Sequence, residues 1–384
     1  MNTLKREQKK TSKGMDWYIV SAMLVIIAAS LVTMSSFVSE PGQVSFFSRQ
    51  IIFVSIGMVC FFGISYMNTS FLRRSSVLLG IFIAGVLLLI GLYFFGSTIK
   101  GATSWYQFGL FSFQPSDPIK IITILLLAKY LSRRHIEIHR IKHLLITAVY
   151  FFVPFILVFL QPDFGSAVIL FAVWFGMILV AGISWKHIGV LLFIGVVTLG
   201  GVWVFVFEPY QKARITSFLQ PLEDIQGAGY NAYQSTIAVG SGRVAGKGVG
   251  YGTQSRLSFL PEHQTDFIFA SFAEEWGFVG ALIILIAFGV IAMRSLQVSR
   301  IGSSNFEVLY GVGVSIYFMT HIIINIGMNI GLLPVTGITL PLMSSGGSHI
   351  LTECVALGIL MSMRRYRSRI TPRDQQYAEL VIIE

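Results

Sequence analysis

The stretch Trp17-Tyr18-Ile19-Val20-Ser21-Ala22-Met23-Leu24-Val25-Ile26-Ile27-Ala28-Ala29-Ser30-Leu31-Val32-Thr33-Met34-Ser35-Ser36-Phe37-Val38 decides the fold. It holds no charged side chain, and as a helix it is long enough to cross a hydrocarbon layer of about 30 Å. Lys5, Arg6, Lys9, Lys10 and Lys13 precede it. A cleaved signal peptide has a shorter apolar core and a small-residue cleavage site, so this block reads as a retained helix. Further apolar blocks lie near 51–67, 76–96, 116–131, 144–161, 165–183, 188–207, 266–292, 308–329 and 346–363. The chain has 384 residues, of which 54% are hydrophobic and 12% charged. Soluble domains carry about twice that charge, so the composition excludes a single water-soluble core. The expectation is an all-α integral membrane protein with about ten transmembrane helices.

The loops orient the helices. With a cytoplasmic N-terminus, one side collects the basic cluster at residues 1–15, together with Arg73, Arg74, Arg133, Arg134, Arg140, Lys142, Lys186, Arg294 and Arg300. The same side takes the tail at 364–384, with Arg364, Arg365, Arg367, Arg369 and Arg373. About 20 Lys and Arg then lie inside against about eight outside, the bias of a protein in the bacterial inner membrane. Both termini are expected in the cytoplasm, flanking one polytopic domain at 16–363. Its large extracytoplasmic loop, about 208–265, joins the seventh and eighth helices. The net charge of +10 is spent on this topology and does not indicate nucleic acid. Cys60 and Cys354 sit in separate apolar blocks and form no disulfide framework.

Three outer segments remain, at 97–117, 208–265 and 330–347. Polar backbone at membrane depth is tolerated only against protein or a wet cavity, so chemistry is expected where they converge. Asp266 is followed by four apolar residues. Partial desolvation would raise its pKa toward that of a general base, while the alternative is a helix N-cap. Glu274 and Glu275 read as partners in a structural ion pair. Asp117 and Lys120 are three apart and either neutralise each other or place Lys120 against a phosphate. Asp163, in Gln161-Pro162-Asp163-Phe164-Gly165, is a turn residue or another carboxylate at the cavity. Trp105 is an interfacial anchor or a site aromatic.

Gly240–Gly250 lacks the Ser or Thr that a P-loop places after its lysine, since Gly248 follows Lys247. It reads instead as a flexible cationic rim offering Arg243, Lys247 and Arg256 to an anion. Gly337–Ser348 reads as non-helical backbone before the last helix, and His349 with Glu353 as a packing pair. No zinc-type spacing or serine-hydrolase elbow occurs. The outer carboxylates can help hold a divalent cation beside a pyrophosphate, but no spacing demands one.

These motifs, in this order, resemble the SEDS family (shape, elongation, division and sporulation), which includes RodA, FtsW and SpoVE. The resemblance spans nearly the whole chain and rests on several stretches. They are Lys100-Gly101 with Trp105, Gln114-Pro115-Ser116, Gln161-Pro162-Asp163, Gly227-Ala228-Gly229-Tyr230, Pro261-Glu262 with Thr265-Asp266-Phe267, and Gly331-Leu332-Leu333-Pro334-Val335-Thr336-Gly337. Gly252-Thr253-Gln254-Ser255 leading into Phe259-Leu260-Pro261-Glu262 looks more like RodA than FtsW. The resemblance implies an inverting peptidoglycan glycosyltransferase that polymerises lipid II for cell elongation and shape.

Asp266 matches the family's catalytic aspartate. Lys100, Trp105, Gln114, Ser116, Asp117, Lys120, Asp163, Arg243, Lys247, Glu262, Thr265 and Ser344 form the expected substrate-binding set. Implied partners are undecaprenyl-pyrophosphate-linked glycan, membrane lipid and a class B penicillin-binding protein. Alternatives are a division or sporulation paralogue with the same chemistry, a lipid II flippase, or a scaffold for the transpeptidase. The chain departs from the family at Asp117-Pro118, Ser166, Gln264 and Ser345, while Asp266 is retained.

Overall fold

A computed structural model describes residues 14–37, 45–99, 102–108, 111–134, 141–205, 212, 216–219, 229–257, 259–300 and 304–366. Helices occupy all ten predicted spans: α1 (Trp17–Ser35), α2 (Phe46–Tyr66), α3 (Ser75–Phe95), α4 (Ser116–Arg134), α5 (Ile141–Leu160), α6 (Phe164–Val180), α7 (Trp185–Phe205), α10 (Ile268–Arg300), α11 (Asn305–Asn329) and α12 (Gly347–Tyr366). Two shorter helices, α8 (Tyr230–Ser241) and α9 (Thr253–Arg256), lie within the large loop. Seven of the ten are long and apolar enough to cross a membrane by themselves. The other three differ for physical reasons. α6 has 17 residues, whereas α4 and α12 carry Asp117, Lys120, His349 and Glu353, all buried against other helices.

The expectation of a wholly α fold needs one correction. Between α3 and α4 the chain forms a three-stranded antiparallel sheet, β1 (Ser97–Ile99), β2 (Ala102–Phe108) and β3 (Phe111–Phe113). Aromatic and β-branched side chains favour a pleated surface here. Tyr106 pairs with Phe113 and Phe108 with Phe111 across the strands. The Tyr106 hydroxyl donates to the Leu88 carbonyl at 2.9 Å, which ties the sheet to α3.

α11 is the most buried of the seven long apolar helices and packs against α4, α6 and α10; α2 packs on α12, and α1 on α10. The exterior is apolar, as a lipid solvent demands. On α7, Phe193, Val196 and Phe205 are all strongly exposed.

A second correction concerns the eighth span. α10 is interrupted at Gly277, whose φ of 66° and ψ of −165° lie outside helical space. The break is filled by the Gly-rich segment that precedes it in sequence. Lys247 N–H donates to the Glu274 carbonyl at 3.0 Å and Gly248 N–H to that of Glu275 at 2.9 Å. In return Phe278 N–H donates to Arg243 O at 2.9 Å and Val279 N–H to Val244 O at 3.2 Å. Groups freed by the break thus find partners within the protein, as a low-dielectric setting requires. A Cβ on Gly277 would lie 2.3 Å from the Gly246 nitrogen, so no larger residue fits. The backbone of the segment expected to form a cationic rim thus acts as a structural plug for the break.

The ends of α1, α10 and α12 are joined by Asp16, which is 2% exposed. Its carboxylate caps α1 at Tyr18 N–H, accepts from Arg294 Nη2 at 2.7 Å, and contacts Arg364. Arg73 and Glu307 make a second ion pair between the start of α3 and that of α11. Asp16→Asn would leave two partly buried guanidinium groups without their counter-ion. It is expected to cost about 2 kcal/mol and lower the melting temperature of the detergent-purified protein by roughly 3–5 °C. An unchanged melting temperature would mean that the helix ends are held by packing alone.

Candidate functional site

A cavity of about 390 Å³ opens where the sheet, the start of α4, the α5–α6 turn and the segments before α10 and α12 meet. Its walls include Trp105, Gln114, Asp117, Lys120, Asp163, Glu262, Thr265 and Asp266, along with His321, Gly337, Ser345 and His349. Eight residues selected from sequence motifs therefore converge on one space. Ser116 and Ser344 stand immediately behind them. The Ser116 hydroxyl donates to Asp163 Oδ2 at 3.2 Å, and that of Ser344 to the Thr265 carbonyl at 2.7 Å. Arg243 and Lys247 are not among the lining residues; they belong to the plug in α10. Lys247 Nζ is 2.7 Å from the fully buried Glu274 carboxylate. Lys100 lies outside the described residues.

The floor is a buried chain of charges linking α4 to α12. Lys120 Nζ lies 3.1 Å from Asp117 Oδ1, and both side chains are nearly inaccessible. Asp117 Oδ2 accepts from the Ser348 hydroxyl at 2.7 Å. His349 bridges onward, 3.5 Å from Asp117 Oδ1 and 2.8 Å from Glu353 Oε1. Glu353 in turn accepts from Leu342 N–H at 2.7 Å and so supports the segment before α12. Burial of this kind is sustained only when each charge has partners. Lys120 is neutralised by Asp117 and also lines the cavity.

Asp163 also has two roles. Its Oδ1 caps α6 at Ser166 N–H, while Oδ2 accepts from Gln114 Nε2 at 2.9 Å. Among the described residues, no group of three or more His, Cys, Asp or Glu is placed to hold a metal ion.

Asp266 stands two residues before the first residue of α10, at the end of a run of turns from Pro261. Gly337, with φ of 72°, lies against it, and a Cβ there would sit 3.7 Å from Asp266 Oδ2. The backbone around Asp266 is tied to α11. Asn325 Nδ2 donates to the Asp266 carbonyl at 2.9 Å and to that of Ile338 at 2.7 Å. Asn329 Nδ2 donates to the same Asp266 carbonyl at 3.0 Å. His321, Asn325 and Asn329 recur every four residues on one helix face and are all buried. Sequence reasoning passed over them, although polar side chains at that spacing on a central apolar helix are a readable signal.

His263 lies beneath this turn, edge-on to Phe37 at 4.5 Å, with Nδ1 3.0 Å from the Leu260 carbonyl. Burial lowers its pKa, and the Leu260 carbonyl and the Glu262 charge only partly offset this.

Two measurements follow. Lys120→Met, which deprives buried Asp117 of its lysine counter-ion, is expected to cost about 3 kcal/mol, and adding Asp117→Asn is expected to recover more than half. Melting temperatures of both singles and the double variant decide this; an additive double would show that the pair is uncoupled. For His263 the unfolded chain binds protons more readily than the folded one below the usual value of 6.5. Stability from the neutral ring is complete above that pH and lost as pH falls toward the depressed folded value. The melting temperature of the wild type should therefore drop more steeply between pH 6.5 and 5 than that of His263→Gln. Parallel curves would contradict the assignment.

Comparisons with known proteins agree on one family. The FtsW/RodA/SpoVE family model, described as "Cell cycle protein", matches residues 14–369. The peptidoglycan glycosyltransferase MrdB of Escherichia coli K12 is 37% identical over 76% of this chain and 78% of its own. Stage V sporulation protein E of Bacillus subtilis is 35% identical over 93% of this chain and 98% of its own. Among solved structures, a chain of a peptidoglycan synthase complex, studied for its coordination of polymerization and crosslinking, superposes with a TM-score of 0.79 at 28% identity. It covers 93% of this chain and 99% of that one. The rod shape determining protein RodA of Thermus thermophilus gives a TM-score of 0.69 at 25% identity over the same shares.

Proposed function

The chain belongs to the FtsW/RodA/SpoVE family of multi-pass membrane proteins, and from that premise we propose how it acts as a peptidoglycan glycosyltransferase. The observation that carries the mechanism is the meeting of Asp266, Asp117, Lys120 and Asp163 around one cavity of about 390 Å³. That volume suits a reacting sugar and its phosphates rather than a whole glycan strand. In this reading the Asp266 carboxylate accepts the proton of the acceptor's GlcNAc 4-hydroxyl. The oxygen attacks the anomeric carbon of the lipid-linked donor from the face opposite the leaving group, so the configuration inverts. The undecaprenyl pyrophosphate leaves with the bonding electron pair, and Lys120 is the cation placed to meet its charge.

The Asp117–Lys120 pair tunes this contact. Asp117 is shared among Lys120, Ser348 and His349, so the lysine can turn part of its charge toward a phosphate without stranding the carboxylate. The substrate is lipid II, and the RodA-like sequence from Gly252 to Glu262 favours a role in elongation. The protein resides in the bacterial inner membrane. In this reading the Asp16–Arg294–Arg364 ion pairs lie at its cytoplasmic end and the cavity at its extracytoplasmic end, which the distribution of Lys and Arg supports. A class B penicillin-binding protein is the partner that would cross-link the product. The relative found in a synthase complex that polymerises and crosslinks supports that pairing.

The test is polymerisation of purified lipid II by the full-length protein with its transpeptidase, wild type beside Asp266→Ala and Asp266→Asn. Both variants are expected to lose at least ~10²-fold in rate while keeping the wild-type melting temperature. Equal activity in wild type and variants would end the assignment of Asp266. Absence of glycan from the wild type, with lipid II instead crossing the bilayer, would favour transport.

A further inference from the structure

A regular first turn of α10 continued back to Asp266 would let Ala270 N–H donate to the Asp266 carbonyl. In the structure the carboxamide of Asn329 stands between them. Ala270 N–H donates to Asn329 Oδ1 at 3.0 Å, and Asn329 Nδ2 donates to Asp266 O at 3.0 Å. The next donor, Ser271 N–H, returns to an ordinary helical bond with Phe267 O at 3.1 Å. Asn329 thus supplies the acceptor for one of the donors that every helix start leaves open. It also supplies a donor to the carbonyl just outside the helix. The two roles fix the orientation of its amide, since only Nδ2 can donate and only Oδ1 can accept. Ser235 reinforces it, its hydroxyl donating to the Asn329 carbonyl at 2.9 Å. Asn325, one turn earlier, adds a second donor to Asp266 O and binds Ile338 O in the opposite wall.

We infer that Asn329, assisted by Asn325, is a positioning residue for the reaction. Its inserted amide holds the Asp266 backbone off the helix path and so sets where the carboxylate meets the substrate hydroxyl. Neither asparagine lines the cavity, so both act through Asp266 and not on the sugar. The inference rests on the reading of Asp266 as the base. A displacement of about 1 Å at a reacting group can cost ~10²-fold in rate, so the expected signature is a fall in kcat without loss of substrate affinity.

The experiment uses the full-length protein with its transpeptidase, comparing wild type, Asn329→Ala, Asn329→Asp, Asn325→Ala and Asp266→Ala. Asn329→Ala is expected to lower kcat by ~10- to 100-fold with KM for lipid II within about twofold. Asn329→Asp should behave alike, because a carboxylate cannot donate to Asp266 O. Asn325→Ala should show a smaller loss, since Asn329 still holds the carbonyl. Hydrogen exchange gives a readout independent of activity: the Ala270 amide should exchange at least ~10-fold faster in Asn329→Ala, with Ser271 unchanged.

Wild-type kcat in Asn329→Ala, beside an inactive Asp266→Ala, would overturn the inference and leave the base assignment intact. A raised KM at constant kcat, or unaltered Ala270 exchange, would overturn it as well. If Asp266→Ala is itself active, the base assignment fails, and the exchange data still decide whether Asn329 holds this turn. Should Asn329→Ala not fold, Asn325→Ala decides: a kcat loss at constant KM supports positioning, and wild-type kcat overturns it.

Discussion

Backbone amides and carbonyls in a hydrocarbon solvent have no water to fall back on, and every feature of this site follows from where their partners are found. A catalytic centre needs irregular backbone to aim its groups, yet irregular backbone is what a bilayer penalises. The structure meets both demands by pairing each irregular stretch with a specific donor or acceptor. The break at Gly277 is filled by Arg243–Gly248. The segment before α12 is held through His321, Asn325, Ser344 and Glu353. The turn carrying Asp266 hangs from two asparagines.

The charges obey the same rule in another form. Glu274 has no solvent exposure, yet it accepts from Lys247 and from the backbone of Thr253 and Gln254. Its cost of burial is offset by fixing the loop to the helix that follows Asp266. The floor chain from Lys120 through Asp117 and His349 to Glu353 does likewise for α4 and α12. The walls are thereby held by polar contacts directed at particular atoms, while the apolar surface between helices supplies adhesion without direction. A polar scaffold inside an apolar shell gives a rigid site in a solvent where the hydrophobic effect does little to hold helices together.

Much of this was legible before the structure. Long apolar blocks flanked by basic loops read as membrane helices, and helices lie at all ten places where hydropathy puts them, seven of them long and apolar enough to cross a membrane by themselves. Motif residues such as Asp117, Asp163 and Asp266 were readable because charged groups beside apolar blocks are conspicuous. Other features escaped for reasons of geometry. Lys247 carries the same charge whether it meets a substrate or Glu274, so composition could not assign its partner. Gly277 sits in an apolar run that favours helix, and only the docking of Gly246 against it reveals the break. Asn325 and Asn329 carry no charge and so drew no notice, although their spacing marks one face of a buried helix. The short sheet was hidden because its strands pair three to seven residues each, too few for a clear alternation.

The order of the plug and its socket along the chain has a consequence for how the protein is built. Arg243–Gly248 is synthesised before Gly277, so the filler already exists when the helix that needs it emerges from the ribosome. The broken helix never has to wait, half-paired in lipid, for a downstream segment to complete it. Spacing then becomes an inherited constraint. A residue gained or lost within 243–248 would slide the ladder by one step and leave the freed carbonyls of Glu274 and Glu275 facing the wrong partners. Loop and helix must therefore change length together or not at all.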